Sequence, residues 1–176
     1  MTASTPTPLV RTGSQRSGQL TGAGILLGLG LGGFIDGIVL HQILQWHHML
    51  TDYGEHAAFP MTTVPSLEAN TLWDGLFHAS TWLFVTIGLF LLWRAVNAGR
   101  RATWRTLSGL LLAGWGIFNL VEGVIDHHLL TVHHVRDDVA DPLWWDLGFL
   151  ALGALLLAGG CALGATDRRQ TRGTGA

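Results

Sequence analysis

Two stretches of this chain carry the same acids and histidines at matched positions. Residues 33–50 read GFIDGIVLHQILQWHHML, and residues 119–136 read NLVEGVIDHHLLTVHHVR. Aligned without a gap, they pair Asp36 with Glu122, Gly37 with Gly123, His41 with His127, His47 with His133, and His48 with His134. An acid and three histidines at equal offsets in two hydrophobic segments indicate a site that is built twice.

Three kinds of chemistry would explain acids and histidines in an apolar setting, where they are costly and usually functional. They could form a structural hydrogen-bond network between helices, pass protons or cations, or coordinate one or two metal ions. A structural network seldom needs six histidines at paired offsets. A conduction path should continue inward, yet residues 24–35 below Asp36 are apolar. These features favour metal binding.

The predicted ligands come from both stretches and from a third segment, WDGLFH at 73–78, in which Asp74 and His78 share a helix face. The metal ligands that we predict are His41, His47, His48, Asp74, His78, Asp126, His127, His133 and His134. Asp36 and Glu122 are predicted to act as a catalytic base, to orient a ligating histidine, or to ligate the metal themselves.

Nitrogen and oxygen donors without a thiolate admit zinc, copper(II), iron or manganese. The only cysteine, Cys161, lies roughly 22 Å along its helix from Asp146 and cannot join the cluster. An outward-facing site favours zinc or copper over iron or manganese. Two ligand sets on facing helices suggest a dinuclear centre.

The elements that must position these residues are membrane-spanning helices. The chain has 176 residues, of which 48% are hydrophobic and only 12% charged, unlike a soluble domain of this size. Four apolar runs reach the roughly 20 residues that a span needs: 22–47, 72–94, 106–133 and 142–165. None shows the charged outer face of a soluble bundle. We predict an all-α integral membrane four-helix bundle, flanked by flexible cytoplasmic tails at 1–21 and 166–176.

Arginine sets the predicted orientation, because the chain has no lysine. Nine of its ten arginines lie near the termini or in the loop between the second and third runs; Arg136 is the exception. The positive-inside rule then makes both termini cytoplasmic in a cell membrane, with the histidine-rich ends facing outward.

The two halves of the chain are predicted to be parallel two-helix repeats, related by a pseudo-twofold axis along the membrane normal. WDLGF at 145–149 echoes WDGLF at 73–77, which places Asp146 beside Asp74 at the outer mouth. On continuous helices, His47 lies about 9 Å above His41. We therefore expect His41, His78 and His127 in one layer, with the two paired acids deeper and the His-His pairs above.

Smaller features refine this interpretation. Glycines at 24, 28 and 32 should let a neighbouring helix approach closely, and they also permit a homo-oligomer. The loop at about 49–71 contains His56, which we interpret as a solvated histidine. Asn70 or Thr71 is predicted to cap the second helix, and Asp141 followed by Pro142 to begin the fourth.

The motifs FIDGIVLHQILQWHHM, EGVIDHHLLTVHH and WDGLFH together resemble a bacterial family of four-span predicted membrane proteins catalogued as a domain of unknown function. The likeness covers about residues 20–165. It implies the four-span topology and assigns no activity. Membrane di-iron oxygenases and seven-span zinc hydrolases share the theme of intramembrane histidines, but their histidine spacings and span counts do not match this chain.

The sequence therefore predicts a multi-pass membrane protein with an outward-facing site that binds a transition metal, as a metalloenzyme or a metal-handling protein. Whether it is an enzyme stays open. The alternative is a structural or proton- or cation-relay protein whose histidines and acids form an interhelical network. The predicted partners are the lipid bilayer and a metal ion, with no nucleic acid.

Overall fold

The structure, a computed structural model, describes residues 13–51 and 58–173. His56 and the terminal residues of both predicted tails therefore lie outside the described residues. The described part is all-helical and contains no strand, as predicted. Its helices are α1 (Gly13–Ile35), α2 (Val64–Asn97), α3 (Trp104–Glu122) and α4 (Leu143–Gly173). A π-helical segment extends α1 over Asp36–Ile43, and another extends α3 over Gly123–Leu129.

Four segments are long and apolar enough to cross a membrane, which confirms the multi-pass prediction. They are Gly18–Ile43, Val64–Asn97, Trp104–Leu129 and Leu143–Thr166, with mean hydropathy between 1.5 and 2.1. A helix rises about 1.5 Å per residue, so each covers a hydrocarbon core of about 30 Å.

The helices pack around a central pair. α1 packs against both α2 and α3, and α4 packs on α3, whereas the backbones of α1 and α4 stay apart throughout the described part of the chain. α2 and α4 are therefore at the periphery of the bundle, and much of their apolar surface is exposed. This order leaves a cleft between α1 and α4 on one side of the bundle.

The central pair crosses at glycine. A Cβ added to Gly28 would lie 2.8 Å from the Cα of Gly114 and would collide with the carbonyl oxygen of Leu111. A Cβ on Gly114 would collide in turn with the carbonyl oxygen of Ile25. Only glycine fits this crossing, which confirms the predicted close approach of a neighbouring helix.

Two predicted helix starts have different outcomes. α2 begins at Val64, after Thr63, so the predicted cap at Asn70 or Thr71 is wrong. Asn70 lies within the helix and accepts a hydrogen bond from the Leu50 N–H at 3.0 Å, which ties the preceding loop to α2. α4 begins at Leu143, one residue after the predicted first helical residue Pro142, and the Leu143 N–H donates to the Asp141 carboxylate at 3.2 Å.

Candidate metal centre

Both stretches leave the helix sharply just before their paired histidines. In the first, the Leu44 N–H donates to the Val39 carbonyl at 2.8 Å, and Gln45 adopts a left-handed conformation with φ 51°. In the second, Leu130 donates to Ile125 at 2.8 Å. Thr131, which aligns with Gln45, has φ 47°. Non-glycine residues with positive φ are uncommon and cluster at functional sites.

These turns change the predicted layering of the histidines. The straight-helix prediction that His47 lies about 9 Å above His41 is wrong, because the chain folds back at Gln45. The ring centroids of His41 and His47 are 4.4 Å apart. His127 and His133 are likewise 5.0 Å apart. The outer histidines thus join the inner ones in a single layer.

The result is two compact groups of potential metal donors. Asp36, His41 and His47 form the first group, and Glu122, His127 and His133 form the second. All six residues are buried, and within each group one donor atom per residue lies within 4.8 Å of the others. Metal bonds of about 2.0–2.2 Å would need donor atoms within about 4 Å of one another, so small side-chain adjustments would close either group on an ion.

The two groups adjoin each other and form one cluster of four imidazoles. His47 stacks on His133, with ring centroids 4.6 Å apart and an angle of 8° between the ring planes. The carboxyl groups of Asp36 and Glu122 are near enough for each to feel the charge of the other. An ion held by either group would therefore be a close neighbour of an ion held by the other.

The Nδ1 atom of each clustered histidine lies near an acceptor. His41 donates to Asp74 at 3.0 Å, whereas His127 Nδ1 lies 3.5 Å from Asp146 Oδ1 without a hydrogen bond. The central rings bond across the halves: His47 donates to the Val135 carbonyl at 2.9 Å, and His133 to the Met49 carbonyl at 3.3 Å. A proton held on Nδ1 leaves the Nε2 lone pair free to ligate.

The opposite nitrogens have no hydrogen-bond partner. Among the described residues, buried atoms without a partner include Nε2 of His41, His47, His127 and His133, Oδ2 of Asp36 and Oε2 of Glu122. His41 Nε2 and Asp36 Oδ2 lie 3.2 Å apart yet do not hydrogen bond to each other. Each such atom costs about 1–3 kcal/mol when buried unpaired, so a group of them in one cluster indicates a ligand site.

Two aspartates hold the cluster from outside. Asp74 accepts hydrogen bonds from the rings of His41 and His48, the latter at 2.5 Å, and from the Met49 N–H at 3.0 Å. Its carboxylate is thus occupied by donors, which suits an orienting role better than a ligating one.

Asp146 is the equivalent residue on α4. It accepts from His134 at 2.6 Å and from the Val135 N–H at 2.9 Å. Sequence reasoning placed it at the outer mouth but left it out of the predicted ligands. The echo of WDGLF in WDLGF, which pairs Asp74 with Asp146, was the available signal.

Other predicted ligands lie outside the two groups. His78 donates from Nδ1 to the Asp74 carbonyl within its own helix at 2.7 Å, and a Cβ on Gly37 would lie 2.7 Å from its Nε2. The echo motif places Leu150 at the equivalent position, where it packs against Gly123 in the same way. Asp126 is half-buried and belongs to neither group.

His48 and His134, the second histidines of the two His-His pairs, also lie beside the donor groups and not within them. His48 is bound through Nδ1 to Asp74, and its buried Nε2 has no hydrogen-bond partner. His134 is bound to Asp146, and 34% of its side chain is exposed. Both therefore serve as further links between the loops and the orienting aspartates.

The protonation states of the central rings suit metal binding. His47 and His133 lie beyond the membrane-spanning segments. Burial and neighbouring histidines lower the pKa of His47 well below 6.5 and that of His133 to about 4. Desolvation disfavours the charged imidazolium, so both rings are neutral near pH 7. A neutral imidazole is the form that binds metal.

Fold and site together define a multi-pass membrane protein of four apolar helices with a buried cluster of histidines and acids. Residues 23–167 match the family described as "Predicted membrane protein (DUF2243)", and the chain belongs to that family. The match confirms the resemblance that the motifs suggested. No curated protein and no solved structure matches the chain.

Proposed function

We propose that this protein is a membrane metalloprotein whose two histidine–carboxylate groups bind a pair of transition-metal ions. The observation that carries the proposal is a set of potential metal-ligating atoms that have no hydrogen-bond partner and lie in one buried cluster. The set contains four histidine Nε2 atoms and two carboxylate oxygens. Nδ1 contacts to carboxylates and carbonyls are the usual way in which proteins orient ligating histidines.

The types of ligand atom in the two groups limit which metals could bind. Each group offers two imidazole nitrogens and one carboxylate, a combination found in catalytic zinc sites and in iron(II) oxygenases. Imidazole also suits copper(II), and the absence of sulfur disfavours copper(I). Zinc and copper stay our leading candidates, because the arginine distribution favours an outward-facing cluster.

A bound metal ion of this kind acts as a Lewis acid and lowers the pKa of a bound water. The chain's own residues would then orient the rings, exclude bulk water and keep His47 and His133 neutral. His41, His47, His127 and His133 are each at most 2% exposed. Such burial suits a resident catalytic centre better than a carrier, which must exchange its ion readily.

Metal analysis of the full-length protein, purified in detergent and reconstituted, tests the proposal. We expect about two ions per chain in wild type, and loss of both after His47→Ala combined with His133→Ala, because these rings join the two groups. His78→Ala is the matched control and should keep its metal. Substoichiometric metal in wild type, or equal metal in the double variant and the control, would refute the metal centre.

One observation favours a second candidate, a proton relay. His41 lies between two acids, 3.2 Å from Asp36 and 3.0 Å from Asp74, and such a chain could pass a proton. Proteoliposomes would then conduct protons, and Asp36→Asn would abolish the leak. A wild-type protein that loads metal and leaks no protons excludes this candidate.

A further inference from the structure

A cleft connects the candidate metal centre with the surface that faces the lipid. It has a volume of about 380 Å³, within the range of small-molecule pockets, and lies where the backbones of α1 and α4 stay apart. Its walls include Ile35 and Val39 from α1 with its π-helical segment, and Phe149 and Leu152 from α4. The cleft is therefore an apolar groove between helices.

The cleft opens sideways toward the bilayer. Ile35, Val39 and Leu152 are 37–45% exposed, and all three lie in membrane-spanning segments. The exposed rim therefore faces hydrocarbon, and a molecule that enters here comes from the membrane.

The outer end of the cleft is closed by aromatic rings. Trp46 and Trp145 meet edge to face with centroids 5.1 Å apart. Arg136 lies 5.1 Å from each of the two ring centroids and forms an ion pair with Asp138. This lid separates the cleft from water and leaves the lateral opening as the way in.

Two polar side chains at the inner wall break the apolar lining. Asp36 belongs to the first donor group and is 4% exposed. Asn119 is 1% exposed, and its Oδ1 has no hydrogen-bond partner. An unsatisfied amide oxygen in an apolar cleft needs a donor from a ligand, and a hydroxyl supplies one.

Resting on the proposed metal centre, we propose that the cleft takes a single-chain membrane lipid whose hydroxyl end donates to Asn119 and is presented beside Asp36. The apolar chain would lie along the walls of α1 and α4 and extend into the bilayer. The substrate class of the site is then a hydroxyl-bearing lipid, not a water-soluble molecule.

Two residues of the cleft also lie at positions where the two stretches differ in chemistry. Asn119 aligns with Gly33, and Trp46 aligns with Val132. The donor residues, in contrast, are paired. The metal-ligating residues are thus repeated in both stretches, whereas the Asn119 amide and the Trp46 ring of the lid are not. This difference points to one substrate cleft that serves both donor groups.

Photolabelling of reconstituted protein tests the proposal. The probe is hexadecanol with a diazirine in the middle of its chain, and the matched probe is the same diazirine on hexadecane, which lacks the hydroxyl. We expect the alcohol to label residues of α1 and α4 that line the cleft, and to do so more strongly than the alkane.

Two glycines of α4 make a matched pair of variants. A Cβ at Gly148 or at Gly159 meets no atom within 4 Å, so both positions have open space at the start of a side chain. Gly148 lines the cleft and Gly159 does not. Gly148→Leu should lose the cleft labelling, whereas Gly159→Leu should keep it. Asn119→Leu should reduce the preference for the alcohol over the alkane about fivefold, the effect of one hydrogen bond.

Metal content measured on the same samples separates the two proposals. Selective labelling without metal would support the cleft and refute the metal centre. Three outcomes in a protein that does bind metal would refute the cleft proposal alone. They are even labelling of all lipid-facing surfaces, equal labelling by the alkane, and cleft labelling that survives Gly148→Leu.

Discussion

His47 and His133 stack face to face, with ring centroids 4.6 Å apart. Each donates to a carbonyl from the other stretch, His47 to Val135 and His133 to Met49. Those same two residues donate their N–H groups to Asp146 and Asp74, respectively. The pair therefore links both loops, the peripheral helices α2 and α4, and both donor groups in one hydrogen-bonded unit.

The orienting aspartates should tune metal affinity without being required for metal binding. Asp74→Asn and Asp146→Asn keep the size of the side chain but weaken the contacts to the histidine Nδ1 atoms. We expect each to lower metal affinity about 10–100-fold, as for other residues that position ligands. Competition with a chelator measures the change. Asp138→Asn, in an exposed ion pair with Arg136, is the control and should leave the affinity unchanged.

The stability of the metal-free protein should fall in mild acid. The folded-state pKa values of His47 and His133 lie below 6.5, that of His133 at about 4, so the unfolded chain binds more protons between these limits. Stability is therefore complete above about pH 6.5 and decreases by up to about 1.4 kcal/mol per pH unit and histidine as the pH falls toward 4. Thermal unfolding of chelator-treated protein in detergent measures this slope. His47→Gln with His133→Gln should flatten it, and an unchanged slope in that variant would assign it to other groups.

The left-handed turn at Thr131 should tolerate glycine better than its natural residue. A β-branched residue at φ 47° is strained, and glycine adopts that conformation freely. We expect Thr131→Gly to raise the free energy of unfolding by up to about 1 kcal/mol and to keep the metal. Thr131→Ile, which retains the branch, should bring no gain. A loss of metal in the glycine variant would show that the hydroxyl, not the turn, matters.

The glycine crossing of α1 and α3 should be intolerant of a single methyl group. Gly28→Ala places a Cβ against the backbone of α3, which cannot move aside, and should cost roughly 1–3 kcal/mol or more. Gly22→Ala on the same helix meets nothing within 4 Å and should be neutral or stabilising. Thermal unfolding of both variants makes the comparison. Equal stability would show that the central crossing is not the close approach described above.

The sequence by itself determined the all-helical, multi-pass fold and most of the cluster's membership. Apolar runs long enough to span and paired acids and histidines are local signals, so spacing alone identified His41, His47, His127 and His133. Glycine spacing likewise predicted the close approach of α1. Depth estimated from a straight helix, however, separated His47 from His41.

Only the tertiary structure decided which donors meet. The left-handed residues Gln45 and Thr131 carry no turn signature in their types, because neither is Gly, Asn or Asp, so the reversal that brings each outer histidine back onto its inner partner was invisible in the pattern. His78 looked equivalent to the other histidines by depth, yet its rotation on α2 directs it against Gly37. The cleft beside Asp36 and Asn119 arises because the backbones of α1 and α4 stay apart, and helix adjacency is a property of packing that no single segment encodes.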